Sequence, residues 1–320
     1  MKTTRSIAAL GPPPAGGSVV SIGVFDGVHL GHQAILAANV ARARALGAVP
    51  TVVTFAGHPK EVLLGRAPRT LTTLEHRLAL FRRAGIEHTV GIEFDADLRA
   101  TTAEEFAERV LVRGLDARAL VLGFDSKFGR ERRGTPEFLA ARGFDVTVVP
   151  QVQIGPYGVS STAIREAIEL GDLARAQAML GRPVSVLGTV VRGDALGRRL
   201  GFPTANLDLQ HELHPPPGVY YGHARFGAGV LEGDGGPERA AVANIGFRPT
   251  VAGGARELRI EVHLVDFSGD LYGAHLEFTF LGRLRGEQRF DGLDALVAQI
   301  RRDVDEARAR LGPASAPLPR

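Results

Sequence analysis

The pattern of apolar residues changes once along this 320-residue chain, and that change restricts its fold more than any other feature. Up to about residue 150, short apolar runs typical of strands alternate with segments of helical spacing. The runs are 19–24, 49–55, 88–92, 119–122 and 145–150, and the helical segments are 33–46, 73–84, 102–112 and 136–142. This alternation predicts an open, mostly parallel sheet with helices on both faces.

Beyond residue 184 most of the helical spacing is lost, and short apolar runs are separated by glycine, proline and aspartate. These runs, 184–191, 219–226, 240–245, 257–265 and 276–280, predict a small barrel or sandwich. Residues 292–311 return to helical spacing and predict a C-terminal helix, and residues 162–180 predict one or two helices interrupted at Gly171. We therefore predict two domains, 1–181 and 182–320.

Composition excludes several classes of function. The sequence contains no cysteine, which rules out disulfides, thiolate metal sites and cysteine nucleophiles. It has no run of about 18 apolar residues that could span a membrane, and its first ten residues are too polar for a secretory signal. The net charge of +3 is small, and no basic stripe with interleaved aromatics predicts nucleic-acid binding. We expect a cytoplasmic enzyme acting on small molecules; its oligomeric state is not predicted.

Residues 23–32, Gly-Val-Phe-Asp-Gly-Val-His-Leu-Gly-His, connect the first predicted strand to the first predicted helix. A strand, a glycine-bearing turn and a helix place backbone N–H groups and a positive dipole end against a phosphate. His29 and His32 are three residues apart and project to the same side. The glycines expected to permit a tight turn and a close ligand approach are Gly23, Gly27 and Gly31. With no Walker A lysine and no Gly-x-Gly-x-x-Gly after a strand, a phosphate site must use histidine, arginine and backbone amides.

Residues 160–165, Ser-Ser-Thr-Ala-Ile-Arg, are typical of a helix start with Ser161 as the N-cap. Arg165 then lies near the positive end of the helix, where a cation is mildly unfavourable, and a bound anion would remove that conflict. An ordinary cap with Arg165 in solvent explains the same residues.

In the second half, residues 197–207 combine glycines that can wrap a phosphate with two hard oxygen donors, Thr204 and Asn206. Such donors suit Mg²⁺, although a turn between strands explains them equally well. Residues 258–264 alternate strictly, so Glu261 shares a face with Arg259 and His263. If that face lines a pocket, Glu261 is a candidate base for a hydroxyl nucleophile; on a solvated face it has no such role.

The first-half motifs resemble those of the nucleotidyltransferase superfamily, and residues 54–59, 71–75 and 123–129 resemble the bacterial bifunctional riboflavin kinase/FMN adenylyltransferases. This resemblance implies a Rossmann-like α/β nucleotidyltransferase domain in which the FMN phosphate attacks the α-phosphate of ATP and expels pyrophosphate. It implies that His29 and His32 stabilise the developing charge, that Ser161, Thr162 and Arg165 hold the ATP phosphates, and that Asp125 lies near the nucleotide or metal. The remaining implied nucleotide-binding residues are Gly23, Phe25, Asp26, Gly27 and Gly31.

Residues 188–193, 197–207, 218–220, 242–250 and 261–263 are similar to the riboflavin kinase family, which implies a small Greek-key β-barrel with a C-terminal helix. By this resemblance Thr204 and Asn206 bind Mg²⁺ and ATP phosphates, and Gly197 and Gly201 line the phosphate loop. Glu261 would deprotonate the ribityl 5′-hydroxyl of riboflavin.

The expected function is therefore bifunctional: riboflavin and ATP give FMN, and FMN and ATP give FAD. Two residues depart from the family pattern, Gly57 in place of a proline and Ser126 in place of an aromatic residue. They leave open a riboflavin kinase whose adenylyltransferase domain is impaired. A flavin- or nucleotide-binding regulator without turnover is the alternative from another class.

Overall fold

The computed structural model describes residues 1–194, 196–208, 212–232, 236–249 and 256–312. The chain divides into two compact units, Met1–Ser161 and Thr162–Arg320. The division falls at the start of a helix, upstream of the expected domain boundary at residue 181, which stays a prediction for the two functional domains. Thr250, in one of the kinase motifs, and the last eight residues of the predicted second domain lie outside the described residues.

The first unit contains a six-stranded parallel sheet whose order is β1-β4-β3-β2-β5-β6. Its strands are β1 (Lys2–Thr4), β2 (Ser18–Ile22), β3 (Val49–Phe55), β4 (His88–Ile92), β5 (Ala117–Gly123) and β6 (Val146–Val149). From the central β2 the chain first builds outward through β3 and β4, and then returns to β5 on the other side. Strand order therefore reverses between β2 and β5, where open α/β sheets bind their ligands. Five of the six strands were predicted; β1 was not.

Helices cover both faces of this sheet, as predicted. The α-helices are α1 (Leu30–Leu46), α2 (Pro59–Leu64), α3 (Leu74–Arg83), α4 (Ala96–Ala100), α5 (Ala103–Phe106) and α6 (Pro136–Ala140). A π-helix (Ala107–Gly114) continues α5, a 3₁₀ turn spans Arg130–Arg132, and a short antiparallel pair is formed by β7 (Gln153–Ile154) and β8 (Tyr157–Gly158).

The strands alternate their side chains between two cores. Val20, Val53 and Leu120 pack with the π-helix and α6, whereas Val19 and Val52 pack on the other face with α1 and α3. Asn39 of α1 fixes this second layer, because its buried amide donates to the backbone oxygens of Val19 and Thr51 and to the Ser21 hydroxyl.

The second unit is a closed antiparallel barrel of order β10-β13-β12-β11-β14-β9, preceded by two helices and followed by one. The helices are α7 (Ser161–Glu169), α8 (Leu173–Leu180), α9 (Leu196–Arg199), α10 (Gly229–Glu232) and α11 (Leu293–Leu311). The strands are β9 (Ser185–Val191), β10 (Ala205–Asp208), β11 (Gly218–Phe226), β12 (Glu238–Pro249), β13 (Arg256–Leu264) and β14 (His275–Arg285).

Three hairpin-connected strands, β11 to β13, and a fourth, β14, that returns beside β11 make a Greek key. Pairing of β9 with both β10 and β14 closes the barrel and decides between the barrel and the sandwich. Helix α11 packs Val304 and Ala307 against Val219 and Val242 of the barrel wall, so its predicted apolar face covers the barrel.

Candidate active sites

The two histidines lie together at the start of α1. His29 is the N-cap, and its Nδ1 accepts a hydrogen bond from the backbone N–H of His32 at 3.4 Å. Their rings stack with centroids 3.6 Å apart and planes 17° apart. Helix α1 begins at Leu30, three residues before the predicted start at Gln33, which places both imidazoles at the positive end of the helix dipole. Imidazole donors and free helix N–H groups are suited to phosphate oxygens.

The turn that carries these histidines has an unusual backbone. Phe25 and Val28 adopt φ values of +53° and +40°, in the left-handed region that β-branched and bulky side chains avoid. Gly27 has φ +80°, and a Cβ there would lie 2.7 Å from Leu71 Cδ1, so this position requires glycine. The missing side chains of Gly23 and Gly31 make room for the rings of Phe25 and His29.

The side chains of Phe25 and Asp26 fix the conformation of the turn from its buried side. The Asp26 carboxylate accepts hydrogen bonds from the backbone N–H groups of Leu71 and Thr72 at 3.0 Å, and Gly27 N–H donates to the Thr72 hydroxyl. Phe25 packs in the core beneath α1. Both side chains are buried where they fix the turn, and the predicted place of these two residues at the nucleotide stays a prediction.

Asp125 follows a strand of the sheet, whereas Ser161 begins a helix. Asp125 is exposed just beyond the end of β5, and β5 neighbours β2, so Asp125 and the histidine turn follow adjacent parallel strands. Ser161 is the first residue of α7 and not its N-cap, a correction to the prediction, and its hydroxyl donates to the backbone oxygen of Asp26 at 3.0 Å. Thr162 and Arg165 follow in α7 within the second unit, and their contact with ATP phosphates stays a prediction.

A large cavity of about 990 Å³ borders the histidine turn in the first unit, because Gly23 and Val24 form part of its lining. Its apolar lining includes Phe55, Phe94, Leu98, Phe106 and Phe128, and its cations are Arg99, Lys127, Arg130 and Arg132. Four phenyl rings suit a planar aromatic ligand, and the cations suit an anionic group attached to it. Ser126 and Gly57 are not among the lining residues, so the aromatic wall is built without an aromatic residue at position 126.

In the second unit, one cavity of about 310 Å³ brings together Gly197, Thr204, Asn206 and Glu261. Asn206 of β10 is the register partner of Glu261 on β13, and Asn244 of β12 is its partner on the other side. Ile260 and Val262 are fully buried, so Glu261 projects from the opposite face of β13, into the cavity. The face that the sequence left undecided therefore lines a pocket, together with His263, and Asn244 joins it.

The oxygen atoms that could bind a cation in this cavity lie in closely packed surroundings. The Oδ1 atom of Asn206 is buried and has no hydrogen-bond partner among the described residues. A Cβ on Gly193 would lie 2.3 Å from the Asn206 amide nitrogen, and one on Gly197 would lie 2.4 Å from the Phe202 carbonyl oxygen. A buried oxygen without a donor, in a cavity that a threonine hydroxyl also lines, fits a hard cation. The described residues contain no cluster of three or more His, Asp or Glu side chains that could hold a metal by themselves.

Gly201 is outside this cavity. Its φ of +87° and the open space around its Cβ position show a glycine that closes the turn after α9. Gly201 directly precedes the cavity-lining Phe202, and its predicted place in the phosphate loop stays a prediction.

A buried ion pair that was not predicted from the sequence forms another wall of the same cavity. Arg285 of β14 binds the Asp303 carboxylate of α11 through Nε at 3.0 Å and Nη2 at 2.8 Å, and Gln299 donates to the same carboxylate. Asp303 is only 4% exposed. Because the two residues belong to different elements, the pair fixes α11, and with it the cavity wall, against β14. Asp303 shares the buried face of α11 with Val304 and Ala307, and an acid on an apolar helix face is the signal that could have revealed it.

Comparison with known proteins extends over nearly the whole chain. Residues 12–163 match the family model described as FAD synthetase, and residues 180–311 match the one described as riboflavin kinase. A protein of Escherichia coli (strain K12) named bifunctional riboflavin kinase/FMN adenylyltransferase is 40% identical over 319 residues, covering 98% of each chain. The protein of the same name from Pseudomonas fluorescens is 41% identical over 325 residues, covering 98% of this chain and 99% of its own.

Among solved structures, one from Streptococcus pneumoniae titled as a macrolide-efflux protein is 31% identical, with a TM-score of 0.78 over 96% of this chain and 98% of its own. In the part of this chain that the structure describes, we find no helix of the length and apolarity needed to cross a membrane.

Proposed function

Because the chain belongs to the bifunctional riboflavin kinase/FMN adenylyltransferase family, which converts riboflavin to FMN and FMN to FAD with ATP, we propose which of its residues carry the two reactions. The proposal assigns adenylyl transfer to the histidine turn and its neighbouring cavity, and phosphoryl transfer to the cavity around Glu261. The observation that carries it is the convergence of Thr204, Asn206 and Glu261, from separate parts of the sequence, on one cavity.

For adenylyl transfer, we assign the flavin of FMN to the aromatic cavity beside Gly23 and Val24. An FMN phosphate oxygen attacks the α-phosphorus of ATP in line, a P–O bond forms, and the bond to the departing pyrophosphate breaks. His29 and His32 stabilise the charge that develops on the phosphate oxygens, and positioning supplies most of the remaining acceleration. Ser161, Thr162, Arg165 and Asp125 are assigned to the nucleotide, and the glycines with Phe25 and Asp26 to the shape of the turn.

For phosphoryl transfer, Glu261 accepts the proton of the ribityl 5′-hydroxyl as its oxygen bonds to the γ-phosphorus of ATP and ADP leaves. The apolar wall from α11 and Phe290 excludes water from the flavin, so that the hydroxyl of riboflavin is the acceptor. Gly197 allows the backbone to approach the phosphates closely.

We assign Mg²⁺ to Thr204 Oγ1 and Asn206 Oδ1, since the buried Asn206 oxygen needs a positively charged or donor partner. When bound, the ion neutralises charge on the ATP phosphates. Asn206 orients its oxygen by packing against Gly193, and the β10–β13 register keeps that oxygen on the strand face that carries Glu261.

A time course of the purified protein with riboflavin and MgATP tests the proposal. Chromatography should show FMN first and FAD after it. Glu261→Gln removes the base and should slow FMN formation by about 10²-fold or more. FAD, which is made from that FMN, should be reduced with it. Glu238→Gln, on the neighbouring β12 but in an exposed pair with Arg225, is the matched control and should behave as the wild type. Wild-type rates of FMN formation in Glu261→Gln would remove Glu261 from the mechanism.

Neither alternative from the sequence gains support. The aromatic cavity is present despite Gly57 and Ser126, and its presence supports an intact adenylyltransferase domain. A regulator without turnover would not need a carboxylate beside two oxygen donors, and the relatives that match both halves of the chain are named as enzymes.

A further inference from the structure

The strained turn before His29 must be held in place by its surroundings. Two non-glycine residues with positive φ, Phe25 and Val28, lie within four residues of each other. Each such residue is unfavourable on its own and persists only where neighbouring contacts enforce it. The hydrogen bond from Val28 N–H to the Phe25 oxygen joins two residues of the turn, so it does not attach the turn to its surroundings.

Arg77 of α3 provides an enforcing contact. Its side chain is almost fully buried, and its guanidinium donates to the backbone oxygen of Val24 at 2.6 Å and to that of Phe55 at 3.0 Å. It also donates to the hydroxyl of Thr54 at 3.3 Å, and that hydroxyl donates to the Val24 oxygen at 3.1 Å. One buried cation therefore joins the end of β3 to the first residues of the turn.

Asp26 stabilises this cation from the turn itself. Burial lowers the pKa of Arg77, and the nearby Asp26 carboxylate acts in the opposite direction by favouring the charged guanidinium. Asp26 also binds the N–H groups of Leu71 and Thr72, just before α3. The turn is thus connected to the β3 end through Arg77 and to the start of α3 through Asp26.

The groups that Arg77 binds have a direct relation to the reaction. Val24 and Phe55, whose carbonyl oxygens accept from Arg77, both line the aromatic cavity, and the histidines follow Val24 by five and eight residues. A shift of the Val24 carbonyl would move the flavin wall and the imidazoles together.

From this arrangement we infer that Arg77 is a positioning residue for adenylyl transfer, which sets the geometry between the FMN cavity and the histidine pair without touching substrate. This inference rests on the proposed assignment of His29, His32 and the cavity to that reaction. It gives a role to the 71–77 segment, which the proposed function leaves without one.

The test is a single-turnover measurement of FAD formation from FMN and MgATP with enzyme in excess, because its rate constant does not depend on the fraction of inactive protein. Arg77→Met should lower the rate constant by about 10²-fold, the effect of a misplacement of about 1 Å. The KM values for ATP and FMN should stay within about threefold, since no substrate contact is lost. Arg77→Lys, which keeps the charge and one or two of the hydrogen bonds, should restore part of the rate.

Arg83→Met removes an exposed arginine from the same helix and should leave the rate constant unchanged. Riboflavin phosphorylation, carried by the other unit, should be unaffected in every variant. If Arg77→Met does not fold by circular dichroism, Thr54→Val decides: it removes the hydroxyl shared by Arg77 and Val24 and should slow the step about fivefold, the effect of one hydrogen bond, whereas Thr54→Ser should not.

The outcomes separate this inference from the proposed function. If His32→Ala abolishes FAD formation while folded Arg77→Met and Thr54→Val keep the wild-type rate constant, Arg77 is structural only and the inference is wrong. A proportional rise of both KM values with an unchanged rate constant would also overturn it, because that result indicates substrate binding. If His32→Ala keeps the wild-type rate, the proposed function of the histidine turn fails first.

Discussion

At the scale of single residues, the kinase cavity depends on positions where no further carbon atom fits. Gly193 and Gly197 leave room for the Asn206 amide and for the Phe202 carbonyl, respectively. Neither glycine has the left-handed φ that would require it for backbone reasons. Close packing against the oxygen donors is therefore what requires glycine at both positions.

Gly193→Ala should reduce riboflavin phosphorylation by about 10- to 100-fold, because a Cβ 2.3 Å from the Asn206 amide must displace it from its orientation. The Mg²⁺ concentration required for half-maximal rate should rise in the same variant. Initial rates of FMN formation over a Mg²⁺ series measure both effects. Gly292→Ala, where the added Cβ meets nothing within 4 Å, is the control. An unchanged Mg²⁺ dependence in Gly193→Ala would contradict the assignment of Asn206 to the ion.

Individual site residues differ in how far the sequence could reveal them. Thr204, Asn206 and Glu261 were predicted because their chemistry is visible in short motifs, and they line one cavity. Arg77, Asn244 and the Arg285–Asp303 pair were not, because each acquires its role from partners far away in the sequence. The most that the local sequence can show of such a pair is a charged residue on an otherwise apolar face.

At the scale of elements, strands rich in apolar residues were predictable, and two short strands with polar residues were not. The predicted runs 49–55 and 88–92 match β3 and β4 to the residue, since β-branched residues make up most of both strands. The three-residue β1 and the four-residue β10 carry polar residues and were missed, although β10 closes the barrel and holds Asn206. Both become strands because they pair with a neighbouring strand, and the local sequence does not encode that pairing.

The pairing of β1 with β4 predicts a pH-dependent stability. His88 of β4 lies opposite Lys2 and contacts the Thr4 hydroxyl, and burial, with a smaller effect of Lys2, lowers its pKa from 6.5 to about 4. The unfolded chain therefore binds a proton at His88 between pH 6.5 and 4 that the folded chain does not. Stability from this group is complete above pH 6.5 and is lost as the pH falls toward 4, by up to about 3 kcal/mol.

His88→Gln keeps a hydrogen-bonding partner for Thr4 and removes the titrating group. Its urea midpoint should fall less than that of the wild type between pH 7 and pH 4.5. Circular dichroism is the appropriate signal, because the protein contains no tryptophan. Parallel pH profiles of the two proteins would show that His88 does not contribute to acid sensitivity.

At the scale of the whole molecule, each compact unit contains its own cavity and its own candidate catalytic groups. The stacked histidines and the aromatic cavity belong to the first unit, and Glu261 with its oxygen donors belongs to the second. The family relationship joins the two activities in one polypeptide. We propose that the two activities are carried by separate residues.

The most direct test assays His32→Ala and Glu261→Gln in both half-reactions, riboflavin to FMN and FMN to FAD, each with MgATP. His32→Ala should form FMN at the wild-type rate and convert supplied FMN to FAD at least about 10²-fold more slowly. Glu261→Gln should show the reverse pattern. Equal loss of both half-reactions in either folded variant would contradict the claim of two separate sites.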